Sequence, residues 1–240
     1  MRIALIDRYF YPDLQSSAVY LTEIAADLAK KHCVTVFCGP VSSFKEKENI
    51  RALEGVTVKK VPATSFSKKN IAGRVLNYLS FIFSCSLWFL FSKSFDVVMV
   101  QTTPPLNSFF VAWICRLKNI PMVYMCNDLF PETARATGKL KSNFLYRVFG
   151  EMNRFALRQA KYVIALGEDM LERLVEAGTD PNKIEIIRFW ADLNEIVPKS
   201  QQNEFSTRHG LAEYFTVMHA GNMGYVHGLE LMVEVARLLR

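Results

Sequence analysis

The chain has no CxxC spacing, and its five cysteines (Cys33, Cys38, Cys85, Cys115, Cys126) sit singly in apolar runs. That odd, scattered set argues against a disulfide framework or a thiolate metal site. Buried, reduced thiols of a cytosolic protein are expected instead. The four histidines (His32, His209, His219, His227) lack HExxH or any paired spacing, so no metal is expected. The first strand-to-helix turn carries neither GxGxxG nor a Walker lysine, which argues against an ordinary dinucleotide or P-loop site. No helix carries a basic run and no glycine-aromatic RNA signature is present, so the net charge of +6 reads as dispersed. Nucleic acid is therefore not an expected partner. The first residues lead straight into a strand, so no secretory leader is expected.

Of the 240 residues, 50% are hydrophobic, enough for a sizeable core and more than one typical domain. The organising stretch runs from Asp96 to Glu132. Val97–Val100 and Val123–Met125 are short, almost wholly apolar runs, the pattern of strands covered on both faces. Between them Pro104 and Pro105 open a predicted helix in which Phe109, Ala112, Trp113 and Leu117 recur at helical spacing. Strand, helix, strand makes a right-handed crossover in a parallel sheet, and ligands of such sheets bind beyond the strands' carboxyl ends. Two polar loops fall there, Gln101–Pro105 and Asn127–Glu132.

The remaining chain repeats this alternation. Arg2–Ile6 is a first strand running into the aromatic loop Asp7–Asp13, and Ser16 or Ser17 can cap the following helix, with its stripe Leu21, Ile24, Ala25 and Leu28. Cys33–Cys38 and Gly55–Val61 read as strands, and Val41–Glu54 as a polar surface loop. Ser142–Ala160 is a long helix whose Phe144, Val148, Met152 and Phe155 are expected to face inward. Tyr162–Leu166 and Ile184–Ile187 are further strands, flanking a helix that Glu168 and Asp169 start and Gly178 stops. The expected fold class is α/β, a Rossmann-like parallel sheet with helices on both faces. It fills a first domain, 1–197, followed by a polar linker, 198–212. Phe215–Ala220 then reads as a strand before the turn Gly221-Asn222-Met223-Gly224 and a last helix, an incomplete second Rossmann-like domain at 213–240.

Asn70–Phe95 stands apart. From Val75 to Ser92 runs a segment of about 18 residues without a charge, the lower threshold for a spanning helix. Three readings follow: a span, a helix buried against the sheet, or one lying at a bilayer surface with Phe81, Phe83, Trp88 and Phe91 dipping in.

The order of elements, the loop Asp128-Leu129-Phe130-Pro131-Glu132, the segment Arg188-Phe189-Trp190-Ala191-Asp192 and the turn Gly221–Gly224 together resemble GT-B glycosyltransferases. The closer resemblance is to the retaining family that includes bacterial O-antigen, capsule and colanic-acid sugar transferases. It implies an N-terminal domain for an acceptor, often a polyprenyl-diphosphate-linked saccharide, and a C-terminal domain for a nucleotide-sugar donor. It also implies no cofactor or metal, and a cytoplasmic enzyme peripheral to the inner face of the membrane. By the resemblance, Phe10, Tyr11, Ser16, Ser17, Thr102 and Thr103 line the acceptor pocket, Ser16 and Ser17 standing where the family often has two glycines. Gly221, Asn222, Met223 and Gly224 cradle the donor diphosphate.

Asp128 faces the transferred sugar with Glu132 close by, where a carboxylate stabilises an oxocarbenium-like transition state. The residues themselves also fit plainer roles, Asp128 as a helix N-cap and Glu132 as a helix-start acid. The family's basic and glutamate donor residues lie beyond Arg240, so the sequence reads as the acceptor half of a longer transferase. The alternative is a non-catalytic fragment, or an acceptor or membrane-anchoring subunit completed in trans. Either way, residues 1–240 alone are expected to transfer no sugar, since binding energy from both substrates is needed. Turnover of a nucleotide sugar by this chain above a mock preparation is the measurement that decides.

Overall fold

The computed structural model describes residues 1–41, 53–67, 71–191, 193, 196–221, 223 and 228–239; most of the expected loop Val41–Glu54 lies outside them. Contacts divide the chain into two compact units, Met1–Arg188 and Phe189–Arg240.

The first unit is built on seven strands: β1 (Arg2–Ile6), β2 (Cys33–Cys38), β3 (Val56–Lys60), β4 (Val97–Gln101), β5 (Met122–Met125), β6 (Tyr162–Ala165) and β7 (Ile184–Ile186). They pair in the order β3-β2-β1-β4-β5-β6-β7, every pair parallel. The order reverses between β1 and β4, where Ile3 pairs with Val97 and Ile6 with Val100. The loops leaving those two strands therefore diverge and open a crevice at the carboxyl edge.

Alternation along the strands sorts the core into two layers. Ala4, Ile6, Val98, Val100, Met122, Tyr124 and Val163 face one layer, with Phe81, Cys85 and Phe89 of α2 (Ile71–Leu90), Val111 and Ala112 of α3 (Asn107–Lys118), and Ala156 and Leu157 of α5 (Asn143–Gln159). Leu174 of α6 (Glu168–Glu176) joins them. Ile3, Leu5, Val34, Val36, Met99 and Met125 face the other layer, with Leu21 and Ala25 of α1 (Ser16–Ala29). Helices thus cover both faces, as expected for α/β.

Several local expectations are corrected. Neither Ser16 nor Ser17 caps α1: Gln15 holds the N-cap position, and no side chain caps the helix. Pro104 and Pro105 precede α3, which begins at Asn107 after Leu106 turns through a left-handed conformation with φ 71°. Trp113 and Leu117 of α3 are exposed rather than packed on the sheet. On α5 the inward line is Gly150, Ala156 and Leu157, while Phe144 and Val148 are exposed. Phe155, also expected inward, is partly buried and packs against the same core layer.

The long apolar helix α2 is two-faced. Gly73, Asn77, Phe81, Ile82, Cys85 and Phe89 are buried. Asn77 fixes the segment that leads into it: its Oδ1 accepts from the Thr64 hydroxyl and the Phe66 amide, and its Nδ2 donates to the Phe66 carbonyl, each at 2.9 Å. At the other end Lys118 Nζ donates to the carbonyls of Phe89 (3.3 Å), Leu90 (3.1 Å) and Ser92 (2.9 Å), a cation where the helix dipole is negative.

In the second unit α7 (Glu204–Arg208) carries a capping box between Asn203 and Ser206, within the stretch expected as a bare linker. Residues 215–220 form no strand, contrary to expectation, although the helix that follows is present as α8 (Leu229–Leu238). Strand geometry is held by a ladder of neighbours, and among the described residues this unit offers none.

Cys38, Cys85, Cys115 and Cys126 are buried as expected, but Cys33 at the start of β2 is exposed. Burial pushes the thiols of Cys38, Cys115 and Cys126 up to about 12, and Cys85 upward as well. A thiol reagent at neutral pH should therefore titrate one cysteine in the native protein and the remaining four only in denaturant. Fast reaction of more than one would contradict this packing.

Candidate functional site

The carboxyl edge of the sheet is made by the loops after β1, β4 and β5. The first begins with an unusual burial of charge. Asp7 and Arg8 are 0% and 3% exposed. The Asp7 carboxylate accepts the Tyr9 amide at 2.7 Å through Oδ1, and its Oδ2 has no hydrogen-bond partner. Arg8 donates to the carbonyl oxygens of Asn77 (2.5 Å) and Thr64 (3.2 Å) and lies 5.7 to 5.9 Å from the ring centres of Tyr9, Tyr78 and Phe81. Carbonyl dipoles and aromatic faces thus replace water around the guanidinium. Gly39 admits this loop: its amide donates to the Arg8 carbonyl at 2.9 Å, and a Cβ there would stand only 3.1 Å from that oxygen.

The three loops are tied side to side. The Arg8 amide donates to the Thr103 carbonyl at 3.3 Å, joining the first loop to the second. Asn127 joins the second to the third: its amide donates to Thr102 Oγ1 (3.2 Å) and its Nδ2 to Gln101 Oε1 (3.1 Å). Gln101 and Asn107 are fully buried, and neither polar atom of the Asn107 side chain has a hydrogen-bond partner. A tight crevice between the second and third loops, α3 and α5 is lined by Thr102, Ser108, Phe109, Tyr124, Phe130 and Asn153.

Asp128 follows β5 by three residues and is solvent-exposed. Desolvation by the surrounding loop nevertheless raises its carboxyl above the ordinary 3.8. It does not cap a helix: α4 (Glu132–Ala136) has Pro131 at its N-cap position and no side-chain cap. Glu132 stands exposed in the first turn of α4, which meets the helix-start reading. Both carboxylates act on buried Tyr124, whose hydroxyl donates to Asn153 Oδ1 at 3.0 Å; its acidity is suppressed first by burial, then by neighbouring charges including these two.

The other expected site residues distribute unevenly. Phe10 is 2% exposed within the core layer beside Leu21, so it supports the loop rather than facing a ligand. Tyr11, Ser17 and Thr103 are half-buried, Ser16 is exposed, and Thr102 is buried with its hydroxyl engaged by Asn127. In the second unit Gly221 and Met223 are exposed, while Asn222 and Gly224 lie outside the described residues. Helix α8 starts at Leu229, so the turn does not run directly into it. Asp7, Gln101, Asn107 and Asn127 were not singled out by sequence, although a polar residue directly after an apolar strand is the signal that marks three of them. Arg188 closes the first unit by gripping both oxygens of Glu168 (2.6 and 2.9 Å) at the start of α6. Among the described residues, no group of three His, Cys, Asp or Glu side chains could hold a metal ion.

The buried Asp7 sets a pH dependence. Its folded carboxyl is raised well above 3.8, chiefly by desolvation, partly offset by the Tyr9 amide and Arg8. The folded state therefore binds a proton that the unfolded state has lost, and this group's contribution to stability falls as pH rises from 3.8 through the folded value. Asp7→Asn should abolish that component, so the variant's stability relative to wild type increases with rising pH. Denaturant titrations at several pH values check it, and a difference independent of pH would refute it.

A family model described as "Glycosyl transferase 4-like domain" matches residues 17–190. The solved structure of Anabaena Alr3699/HepE in complex with UDP-glucose is similar at 15% identity and TM-score 0.64, covering 99% of this chain and 57% of that one. Sucrose-phosphate synthase from Thermosynechococcus elongatus is similar at 14% identity and TM-score 0.59, covering 88% of this chain and 52% of that one. WaaG, a glycosyltransferase involved in lipopolysaccharide biosynthesis, gives 15% identity and TM-score 0.51, with coverages of 88% and 52%. At such identities the likeness establishes the fold, and the chain spans little more than half the length of each. No curated protein sequence matches it.

Proposed function

Because the chain belongs to the glycosyl transferase 4-like domain family, we propose that it is the acceptor-side part of a retaining glycosyltransferase. The reaction moves a sugar from a nucleotide-sugar donor to a lipid-linked or saccharide acceptor in cell-surface polysaccharide biosynthesis. The observation that carries this reading is the family match over residues 17–190, which contains β4, β5 and both their carboxyl-end loops. Structures of HepE with UDP-glucose support a nucleotide sugar as the donor class.

In this reading the loop from Tyr11 to Ser17 and the Thr102–Thr103 turn shape the acceptor pocket. The three tied loops hold it rigid, so the acceptor is oriented before reaction. Asp128 supplies a carboxylate facing the transferred sugar. Such a transfer passes through an oxocarbenium-like state, and a fixed negative charge stabilises it more than the neutral ground state. Its raised proton affinity places a limb on the acid side: activity falls as pH drops through the Asp128 value, where the carboxylate becomes neutral. Glu132 lends its charge nearby. Gly221 and its neighbours would approach the donor diphosphate through backbone N–H groups, which a side chain would obstruct.

In the enzyme containing this chain, Asp128→Asn should lower kcat by about 100-fold, as for loss of one electrostatic stabiliser, while leaving nucleotide affinity intact. Gly221→Val should do the reverse, weakening nucleotide-sugar binding with fold and acceptor binding kept. Calorimetric titration of the nucleotide against both variants tests the assignment. Equal affinity in wild type and Gly221→Val removes the turn from the donor site, and undiminished turnover in Asp128→Asn removes the carboxylate from the chemistry.

A further inference from the structure

We propose that Gln101 is the positioning residue for Asp128, acting through Asn127 to fix the side of the β5 loop on which that carboxylate stands. For the role of Asp128 this rests on the reading above. Among the seven described strands Gln101 carries the one side-chain amide, and it is fully buried. It pairs with Met125 at the end of β5, and its Nε2 donates to the Met125 sulfur at 3.5 Å. Its Oε1 accepts from Asn127 Nδ2 at 3.1 Å. Asn127 lies two residues past Met125, on the same face by strand alternation, and a glutamine is long enough to reach that diagonal neighbour. Both of these bonds therefore go to the segment that leads into Asp128. A buried amide is costly unless bonded, and packing alone does not call for one here. The face it continues is apolar, with Met99, Met125, Leu21 and Ala25, so a methionine would fill the same place.

Asn127 turns that contact into a fixed register. Its amide donates to Thr102 Oγ1 at 3.2 Å, so its main chain and side chain are both held by the end of β4. The Cys126 amide still donates to the Ile164 carbonyl at 2.9 Å, which extends the β5–β6 ladder to the residue before Asn127. Alternation carries through this stretch: Tyr124 and Cys126 belong to one core layer and Met125 to the other. Asn127 on the Met125 side leaves Asp128 on the Tyr124 side, where its charge acts on Tyr124 and Cys126. A slip of one residue would exchange the two sides. Past Asp128, Leu129 packs against the core, and its carbonyl accepts from the Thr133 amide (2.8 Å) and hydroxyl (2.7 Å). Asp128 is thus the exposed residue between two anchored ones. A carboxylate stabilises developing positive charge best when it is placed beforehand, because no reorganisation is then needed at the moment of reaction.

Two measurements test the assignment. On the 240-residue chain, without sugar or nucleotide, native-state hydrogen exchange reads the Asn127 amide. Gln101→Met removes the acceptor and should speed exchange at Asn127 about tenfold, the worth of one hydrogen bond, with the β4 and β5 amides near their wild-type rates. Gln101→Glu puts an oxygen back in the same place, neutral while buried, and should return the Asn127 rate to that of wild type. If Gln101→Met does not fold, Asn127→Ala breaks the same bond from the loop side and is read at the same amide. In the enzyme containing this chain, Gln101→Met should lower kcat about tenfold at unchanged KM for the nucleotide sugar. In the Asp128→Asn background it should cost nothing further. Unchanged exchange at Asn127, acceleration shared equally by the strands, or no return with Gln101→Glu would overturn the positioning role. So would an equal loss of kcat in both backgrounds. Undiminished turnover in Asp128→Asn alone removes the carboxylate from the chemistry instead, and the exchange rates still decide whether Gln101 holds it in place.

Discussion

All seven strands of the first unit run the same way, and most of what the domain can do follows from that constraint. A parallel ladder needs a crossover between successive strands, and each crossover lays a helix across a face. It also gathers every carboxyl end at one edge, so the loops bearing Asp7, Thr102 and Asp128 become neighbours although they are far apart in sequence. Hydrophobic burial sets the strands, and the polar residues just past them, relieved of that demand, form the edge.

At that edge a buried guanidinium does unusual structural work. Arg8 is held by main-chain carbonyls from Asn77 and Thr64 and by three aromatic rings, and no carboxylate among the described residues pairs with it. Removing a charge from water is costly, and α2 supplies three of these five partners, the Asn77 carbonyl and the Tyr78 and Phe81 rings. Asp7 beside it is the complementary case: desolvation outweighs the favourable Arg8 field, and the carboxyl becomes proton-avid. The first loop of the edge and the long apolar helix are thus one mechanical piece.

The strands were legible in sequence because apolar runs bounded by polar loops have few other solutions: Cys33–Cys38 matches β2 residue for residue. Helix faces were less legible. Phe109, Ala112, Trp113 and Leu117 all recur near helical spacing, yet only part of that set meets the sheet. Periodicity reports that a stripe exists and is silent on which of two apolar stripes faces inward. The same ambiguity misplaced part of the inward face of α5, where Ala156 and Leu157 are buried and Phe155 packs against the core while Phe144 and Val148 are exposed. Asp128 stood in sequence between a cap and a site residue; the cap alternative fell only when Pro131 was found at the N-cap position. The isolated run Phe215–Ala220 shows the converse error, since β-propensity cannot make a strand where no partner is offered.

The direction of the crossovers links the edge to the helices α2 and α3. α2 enters from β3 and α3 from β4, so each helix begins at the carboxyl edge and runs away from it. Val75, Leu76 and Leu79 lie in the first turns of α2 and Phe110 in the first turn of α3, so exposed apolar side chains start near the carboxyl edge. Arg8 binds α2 at Asn77, in the same turns. A load on the helix is therefore transmitted to the β1 loop through hydrogen bonds and packed rings, a contiguous physical connection. Arg8 thereby holds α2 and the loop after β1 in fixed register.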